Sequence, residues 1–209
     1  MQDTQIPVVG VNTFREHVEI RERIYKHCDV VLKPTKTFEE IAREYGQPVF
    51  TKNQDEFIHR YQKGSRARST LSRVYGEEKS SFNINNTARK LLLAGELPKV
   101  SPKCCTFTKK EPLEIYQKET GRKPIMGVRQ SEGILRKAQY HTCLNKNGKF
   151  TPMYDITNEQ IHLVEKECGI EVPEVYKHIE RTGCIGCPYS RNVVEDLEQA
   201  TPNQRNFAI

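Results

Sequence analysis

The chain has 209 residues, of which 36% are hydrophobic and 29% charged, and this fits one domain of ordinary size with a buried core. No apolar run approaches the roughly 20 residues of a membrane-spanning helix, and the N-terminus lacks the basic start and apolar stretch of a secretory signal. We therefore expect a cytoplasmic protein that does not use structural disulfides and has no membrane partner. The net charge of +6 suits anionic partners such as nucleotides; it does not single out nucleic acid, and a solvated basic surface explains it equally well.

The first fifty residues alternate between strand and helix patterns. Apolar runs at residues 6–11 and 29–32 predict two strands, the first buried on both faces. A helix is expected between them, over residues 15–26, and a capping box at Thr37 predicts a second helix that stops at Gly46. This order is typical of parallel βαβ units in an open α/β sheet.

Two polar residues, Asn12 and Thr13, come directly after the first predicted strand. Ligands of open α/β sheets bind beyond the carboxyl ends of the strands, so both are candidates for nucleotide binding, with an ordinary polar loop as the alternative. From residue 54 to about 99 the pattern is weaker and indicates helices joined by mobile loops.

The second half of the chain contains further start signals for helices. A capping box at Thr108 predicts a helix that would place Cys104 and Cys105 immediately before its first residue. Residues 124–128 predict a strand that returns to the sheet, and a capping box at Thr157 predicts another helix, stopped by a glycine.

The cysteines carry the strongest functional signal. Cys184 and Cys187 form a Cys-x-x-Cys loop bordered by glycine and proline, which suits a tetrahedral thiolate site. Four thiolates are the usual complement of a zinc site or an iron–sulfur cluster, and Cys104 with Cys105 supplies a second pair. Adjacent cysteines rarely serve one zinc ion, so we favour a cluster over zinc; two pairs of buried apolar thiols are the remaining alternative. Cys143 is a fifth candidate ligand.

Several segments resemble the phosphoadenosine phosphosulfate (PAPS) reductase family. They are residues 12–16, 32–38, 48–52, 103–113, 119–125, 127–140 and 181–187. The double cysteine and the later Cys-x-x-Cys are similar to the pattern by which cluster-containing members hold a four-iron four-sulfur (4Fe-4S) centre. The resemblance implies an adenine nucleotide alpha hydrolase-like fold, a bound adenylylated sulfate or ATP, and sulfonucleotide or sulfur-transfer chemistry. Gly127, Arg129 and Arg136 lie in the matching stretch and are candidate nucleotide-binding residues.

On this basis we expect one domain over residues 1–209. Its fold class would be α/β, an open and mostly parallel sheet flanked by helices. Residues 1–130 would form a truncated nucleotide-binding core, and residues 131–209 a Cys-rich metal-binding part.

The sequence also departs from the family pattern. The family's Ser-Gly-Gly-x-Asp-Ser phosphate loop (PP-loop) is not found, Gly133 stands where the family has serine, and no cysteine follows Cys187, although assimilatory reductases carry their nucleophilic cysteine there. A sheet without the phosphate-loop strand would expose an edge, which a protein partner or self-association would cover.

Two hypotheses follow. The chain is either part of a sulfur-metabolism enzyme, an oxidoreductase or adenylyl-sulfur transferase whose phosphate loop lies elsewhere, or a catalytically silent relative of phage or mobile-element type. The silent relative would act as a binding or regulatory protein with a structural metal site.

Overall fold

The computed structural model describes residues 6–77, 80, 83–133, 136–137, 142–144, 148–179 and 182–206. The strands and α-helices in chain order are β1 (Val9–Val11), α1 (Val18–His27), β2 (Val30–Leu32), α2 (Phe38–Tyr45), α3 (Lys52–Gln62), α4 (Arg68–Tyr75), α5 (Asn86–Ala94), α6 (Glu111–Thr120), α7 (Asn158–Glu167), α8 (Val193–Glu198) and α9 (Pro202–Asn206). A π-helical turn (Thr106–Lys110) leads into α6, and two 3-10 turns lie at Gln130–Glu132 and Glu174–Lys177. Among the described residues, no helix has both the length and the apolar character needed to cross a membrane.

The chain divides into two compact units. The first comprises the chain up to Leu113 together with the chain from Val175 onward, and the second comprises Glu114–Glu174. Cys104, Cys105, Cys184 and Cys187 all belong to the first unit, although a whole second unit separates the two pairs in sequence.

The sheet of the first unit confirms the prediction of one parallel βαβ unit. Strands β1 and β2 run parallel, with Val9 opposite Val30 and Val11 opposite Leu32, and α1 connects them. The expectation of a first strand buried on both faces is wrong, because every residue of β1 and β2 is only half-buried. A described sheet two strands wide and three residues long is too small to shield either face.

Helix α2 begins and ends as the sequence predicts. The Thr37 hydroxyl accepts a hydrogen bond from the Glu40 amide at 3.2 Å, and the Glu40 carboxylate accepts one from the Thr37 amide at 2.7 Å. The two contacts satisfy amides that the first helical turn leaves without intrahelical partners. Gly46 ends the helix at φ +101°, a conformation that favours glycine.

The principal apolar core of the first unit lies among helices. It is formed around α3, α4 and α5 by Ile58, Val74, Ile84, Ala88, Leu92 and Val100, with Phe50, Tyr61 and Leu97 packed against it. The prediction of helices between residues 54 and 99 is therefore confirmed, and this core supports α3, whose first turn approaches the cysteines.

The helix that carries the first cysteine pair starts earlier than predicted. It runs without a break from Cys104 through the π-helical turn into α6, so the prediction of a cap at Thr108 is wrong. Inside this helix the Thr108 hydroxyl donates to the Cys104 carbonyl at 2.8 Å, a common alternative partner for threonine. Cys104 and Cys105 thus form the first turn of the helix instead of preceding it.

The second unit corrects one prediction and confirms another. Residues 124–128 do not join the β1–β2 sheet; Ile125 instead forms an isolated bridge with Phe150. Both partners of this bridge lie in the second unit, so the apolar run pairs locally. Thr157 caps α7 through the predicted box, its hydroxyl accepting from the Gln160 amide at 3.3 Å.

Candidate metal centre

In the first unit, one cysteine pair lies in a helix and the other lies in a turn. Cys104 and Cys105 lie in the opening turn of their helix, with Cys104 buried and Cys105 half-buried. Cys184 and Cys187 lie in a tight turn, closed by a hydrogen bond from the Cys187 amide to the Cys184 carbonyl at 3.0 Å. Gly186, within the turn, has φ +71°, a left-handed conformation that a residue with a side chain rarely adopts.

The pKa values of the two thiols in the first pair are shifted in opposite directions. A hydrogen bond from the Cys104 thiol lowers the pKa of Cys105 to about 6, against the effect of burial and with help from the charges of Lys109 and Lys52. The same hydrogen bond raises the pKa of Cys104, and burial and the negative charges of Cys105 and Cys187 raise it further. Thiolates are the form of cysteine that binds metals.

The second pair lies within electrostatic reach of the first. Burial raises the pKa of Cys187, and the charges of Cys184 and Cys105 add to the increase. The charge of Cys187 acts on Cys104 in turn. Cys104, Cys105 and Cys187 therefore lie within electrostatic range of one another, and Cys184 lies in the same loop as Cys187.

The arrangement is not a closed coordination site. Over the described ranges of the chain, no group of three or more His, Cys, Asp or Glu side chains is arranged to hold a metal ion. Cys143, the fifth candidate, belongs to the second unit and is exposed.

The Cys-x-x-Cys loop is fastened to the turn after β1. The Ile185 amide donates to the Arg15 carbonyl at 2.8 Å, and the Thr13 hydroxyl lies 3.6 Å from the Cys184 sulfur. Thr13 is fully buried, and its hydroxyl donates to the Glu16 carboxylate at 2.6 Å. Thr13 therefore lies beside the cysteine site.

Asn12, the other candidate of this turn, is also buried. Its side-chain amide donates to the Tyr25 hydroxyl at 2.9 Å, and its side-chain oxygen accepts from the Phe14 amide at 2.8 Å. Phe14 has φ +65°, an unusual conformation for a bulky residue. The Asn12 side chain thus holds the turn that delivers Thr13.

Lys109 is a site residue that sequence reasoning missed. Burial lowers its pKa, but the charges of Cys184, Cys105 and Glu16 outweigh this effect, and the resulting pKa is raised. Lys109 also forms a hydrogen bond with Cys184, so its ammonium group connects the two cysteine segments. Its position four residues after Cys105, one helical turn along, is the signal that could have identified it.

Two buried carboxylates support the residues after the Cys-x-x-Cys loop, and these also escaped the sequence analysis. The Tyr189 hydroxyl donates to Asp55 at 2.7 Å. The Ser190 hydroxyl donates to Asp196 at 2.9 Å, and the His17 ring contacts the other oxygen of Asp196 at 3.3 Å. Both aspartates are completely buried.

The remaining nucleotide-binding candidates lie in the second unit. Arg129 donates to the Asn158 side-chain oxygen at 2.8 Å, and the exposed Arg136 lies 3.7 Å from the Glu132 carboxylate. Gly127 is exposed, and a Cβ there would meet its nearest neighbour at an ordinary 3.6 Å. Crowding therefore does not require glycine at this position.

No family model matches the chain. The curated proteins contain no significant match either. The described residues form a largely helical protein with one parallel βαβ unit, and both cysteine pairs belong to the same compact unit.

Proposed function

We propose that the chain binds an iron–sulfur cluster of the 4Fe-4S type through Cys104, Cys105, Cys184 and Cys187. The observation that carries the proposal is that both pairs belong to one compact unit, in which Lys109, on the helix of the first pair, forms a hydrogen bond with Cys184 of the second. Four cysteine thiolates are the usual ligand set of such a cluster.

The position of the first pair favours a cluster over the alternative of zinc. Cys104 and Cys105 are successive residues of a helix, and successive side chains of a helix point in clearly different directions. A mononuclear zinc site needs its sulfurs about 2.3 Å from a single ion, whereas the iron atoms of a cluster can accept the two sulfurs separately.

Lys109 would complement such a centre. Thiolates and cluster carry negative charge, and the Lys109 ammonium lies against Cys184 with Cys105 nearby. Its charge offsets part of the repulsion between the ligands, and charge and hydrogen bonds near the sulfurs are among the factors that set a cluster's potential.

The proposal extends to a bound adenine nucleotide, which would be either an adenylylated sulfate or ATP. The chemistry would be the sulfonucleotide or sulfur-transfer chemistry of the PAPS reductase family, and the fold would be adenine nucleotide alpha hydrolase-like. In the first unit, Asn12 and Thr13 would act through the turn that they build beside the cysteine loop, since both side chains are buried. Arg129 and Arg136 would bind phosphate or sulfate oxygens, because guanidinium groups offer a planar fork of donors. The exposed Gly127 would leave the backbone beside them open to the ligand.

A second candidate is a catalytically silent relative that uses its metal as a structural clamp and binds a protein partner. The observation that favours it is the exposed apolar surface beside β1, where Ile6 is 70%, Val8 53% and Phe14 59% exposed. Large exposed apolar patches are common at protein interfaces.

Anaerobic purification followed by metal analysis and a visible spectrum tests the metal site. We expect about four iron and four sulfide per chain with broad visible absorbance, as for a 4Fe-4S cluster. Cys184→Ser should abolish both, whereas Cys168→Ser, a matched change at an exposed cysteine of the second unit, should leave them intact. Zinc at about one per chain in a colourless protein would reject the cluster and support the structural clamp.

A calorimetric titration with ATP and adenosine phosphosulfate tests nucleotide binding, and no heat of binding would reject the nucleotide part of the proposal.

A further inference from the structure

A cavity of about 270 Å³ opens beside Cys105 in the first unit. Lys52, Lys103 and Lys110 line it. In the part of the chain that the structure describes, none of these three ammonium groups forms an ion pair with a carboxylate. The lining thus carries three positive charges, and the Cys105 thiolate, whose pKa Lys52 and Lys110 help to lower, offsets only one of them.

One carboxylate in the lining is already engaged. Glu56 lines the cavity, but its carboxylate binds Arg60 at 2.7 Å, one helical turn along α3. The guanidinium offsets the negative charge of Glu56, so the field of the lysines dominates inside the cavity.

The backbone adds to this field. Helix α3 begins at Lys52, and the helix of the first cysteine pair begins at Cys104. Their opening residues, including Asn53 and Thr106, line the same cavity. The amino ends of helices carry partial positive charge and amides without intrahelical partners, which favour anions.

We propose that this cavity binds a phosphoryl or sulfuryl group, either as a free oxyanion or as the end of a larger ligand. Lys52, Lys103 and Lys110 would supply charge-assisted hydrogen bonds to its oxygens, and the polar side chains of Asn53 and Thr106 further contacts. The volume is close to the lower end of small-molecule sites, about 300 Å³, so it accommodates such a group with part of an attached moiety.

The proposal goes beyond the proposed function, because Lys52, Lys103 and Lys110 all belong to the first unit and none of them is assigned to the nucleotide there. It does not depend on the identity of the metal. The site would place an oxyanion directly beside Cys105, which lines the same cavity.

Isothermal titration calorimetry at constant ionic strength tests the site, with inorganic phosphate, inorganic sulfate and AMP as separate titrants. The test variant is Lys52→Gln with Lys110→Gln; both side chains are exposed, so the fold should be retained, which circular dichroism checks. The matched control is Lys26→Gln with Lys90→Gln, which removes the same charge from exposed positions of α1 and α5.

We expect at least one titrant to bind, and binding to weaken about tenfold or more in the test variant, since hydrogen bonds to charged groups contribute on this order. The control should bind like the unmodified protein. Binding of inorganic phosphate or sulfate would identify a free oxyanion as ligand, and binding of AMP alone would identify the phosphoryl end of a larger one.

Two results would overturn the proposal: no binding of any titrant, or equal affinity in the test and control variants. Iron and sulfide content, measured on the unmodified protein and on both variants, reports the metal site separately, because Lys52 and Lys110 also act on the charge of Cys105. A failure of the anion site is therefore distinguishable from a failure of the metal site.

Discussion

Asp55 is the side chain on which three segments of the first unit converge. It is completely buried, and its carboxylate accepts hydrogen bonds from the amides of Val49 and Phe50 at 2.8 and 3.1 Å and from the Tyr189 hydroxyl at 2.7 Å. Burial raises the pKa of Asp55, while these hydrogen bonds act in the opposite direction. The hydrogen bonds therefore offset part of the cost of burying the carboxylate.

Tyr189→Phe tests how much this junction contributes to stability. The substitution removes one donor from a buried carboxylate, and we expect the free energy of unfolding to fall by about 1–3 kcal/mol. Urea unfolding followed by circular dichroism measures the change.

Tyr176→Phe is the matched control, because the Tyr176 hydroxyl contacts Thr182 at an exposed position where a hydrogen bond contributes little. We expect a loss below about 0.5 kcal/mol there, as for most surface substitutions. Equal losses in the two variants would mean that the contact with Asp55 has no special role.

At the scale of elements, Gly46 allows the end of α2 to lie against the segment that leads to Cys104. A Cβ at this position would lie 2.2 Å from the Lys99 carbonyl oxygen, which also accepts the Gln47 amide at 3.1 Å. The end of α2 and the segment before Cys104 can approach this closely only because residue 46 has no side chain.

Gly46→Ala should therefore lower the free energy of unfolding by more than the cost of the backbone conformation alone. Strained left-handed backbone costs roughly 1–3 kcal/mol, and the clash with a backbone oxygen adds to it. Gly95→Ala is the matched control, since Gly95 ends α5 at φ +76° with nothing within 4 Å of a Cβ; we expect about 1–2 kcal/mol there. Thermal unfolding of both variants gives the comparison, and a Gly95 variant as unstable as the Gly46 variant would contradict the role of the close approach.

Elements governed by local hydrogen bonds could be predicted from the sequence. The boxes at Thr37 and Thr157 join residues three apart, so the sequence contains both partners. The pattern at Thr108 failed because the preceding residues continue the helix, and the hydroxyl then bonds to a carbonyl within it. The strand at residues 124–128 failed because an apolar run does not specify its partner, and Phe150 supplies one nearby.

At the candidate site, too, patterns of neighbouring residues could be recognised in the sequence, whereas contacts between distant residues could not. Cysteine spacing pointed to Cys104, Cys105, Cys184 and Cys187, and their role as metal ligands stays a prediction. The contact between Tyr189 and Asp55 joins residues 134 positions apart, and no local pattern indicates such a pair.

Over the whole molecule, the buried helical cluster around α3, α4 and α5 should form the most stable part of the first unit. Its residues Ile58, Val74 and Ala88 are fully buried, whereas β1 and β2 are half-buried. Amide hydrogen exchange occurs through local openings in poorly packed regions and through global unfolding in well-packed ones.

Hydrogen-exchange mass spectrometry should therefore find the slowest amides in α3, α4 and α5, and faster exchange in β1 and β2. Peptides from the two groups can be compared within one sample, so each serves as the control for the other. Slower exchange in the sheet than in the helices would contradict the assignment of the core.

The separation of the two cysteine pairs also sets an order of events during biosynthesis. About 80 residues lie between Cys105 and Cys187, which the ribosome takes roughly 4–16 s to add at about 5–20 residues per second. Throughout this interval Cys104 and Cys105 are present in the growing chain without Cys184 and Cys187. The nascent chain therefore contains Cys104 and Cys105 before Cys184 and Cys187 have been translated, and the two pairs can influence each other only after both have been made.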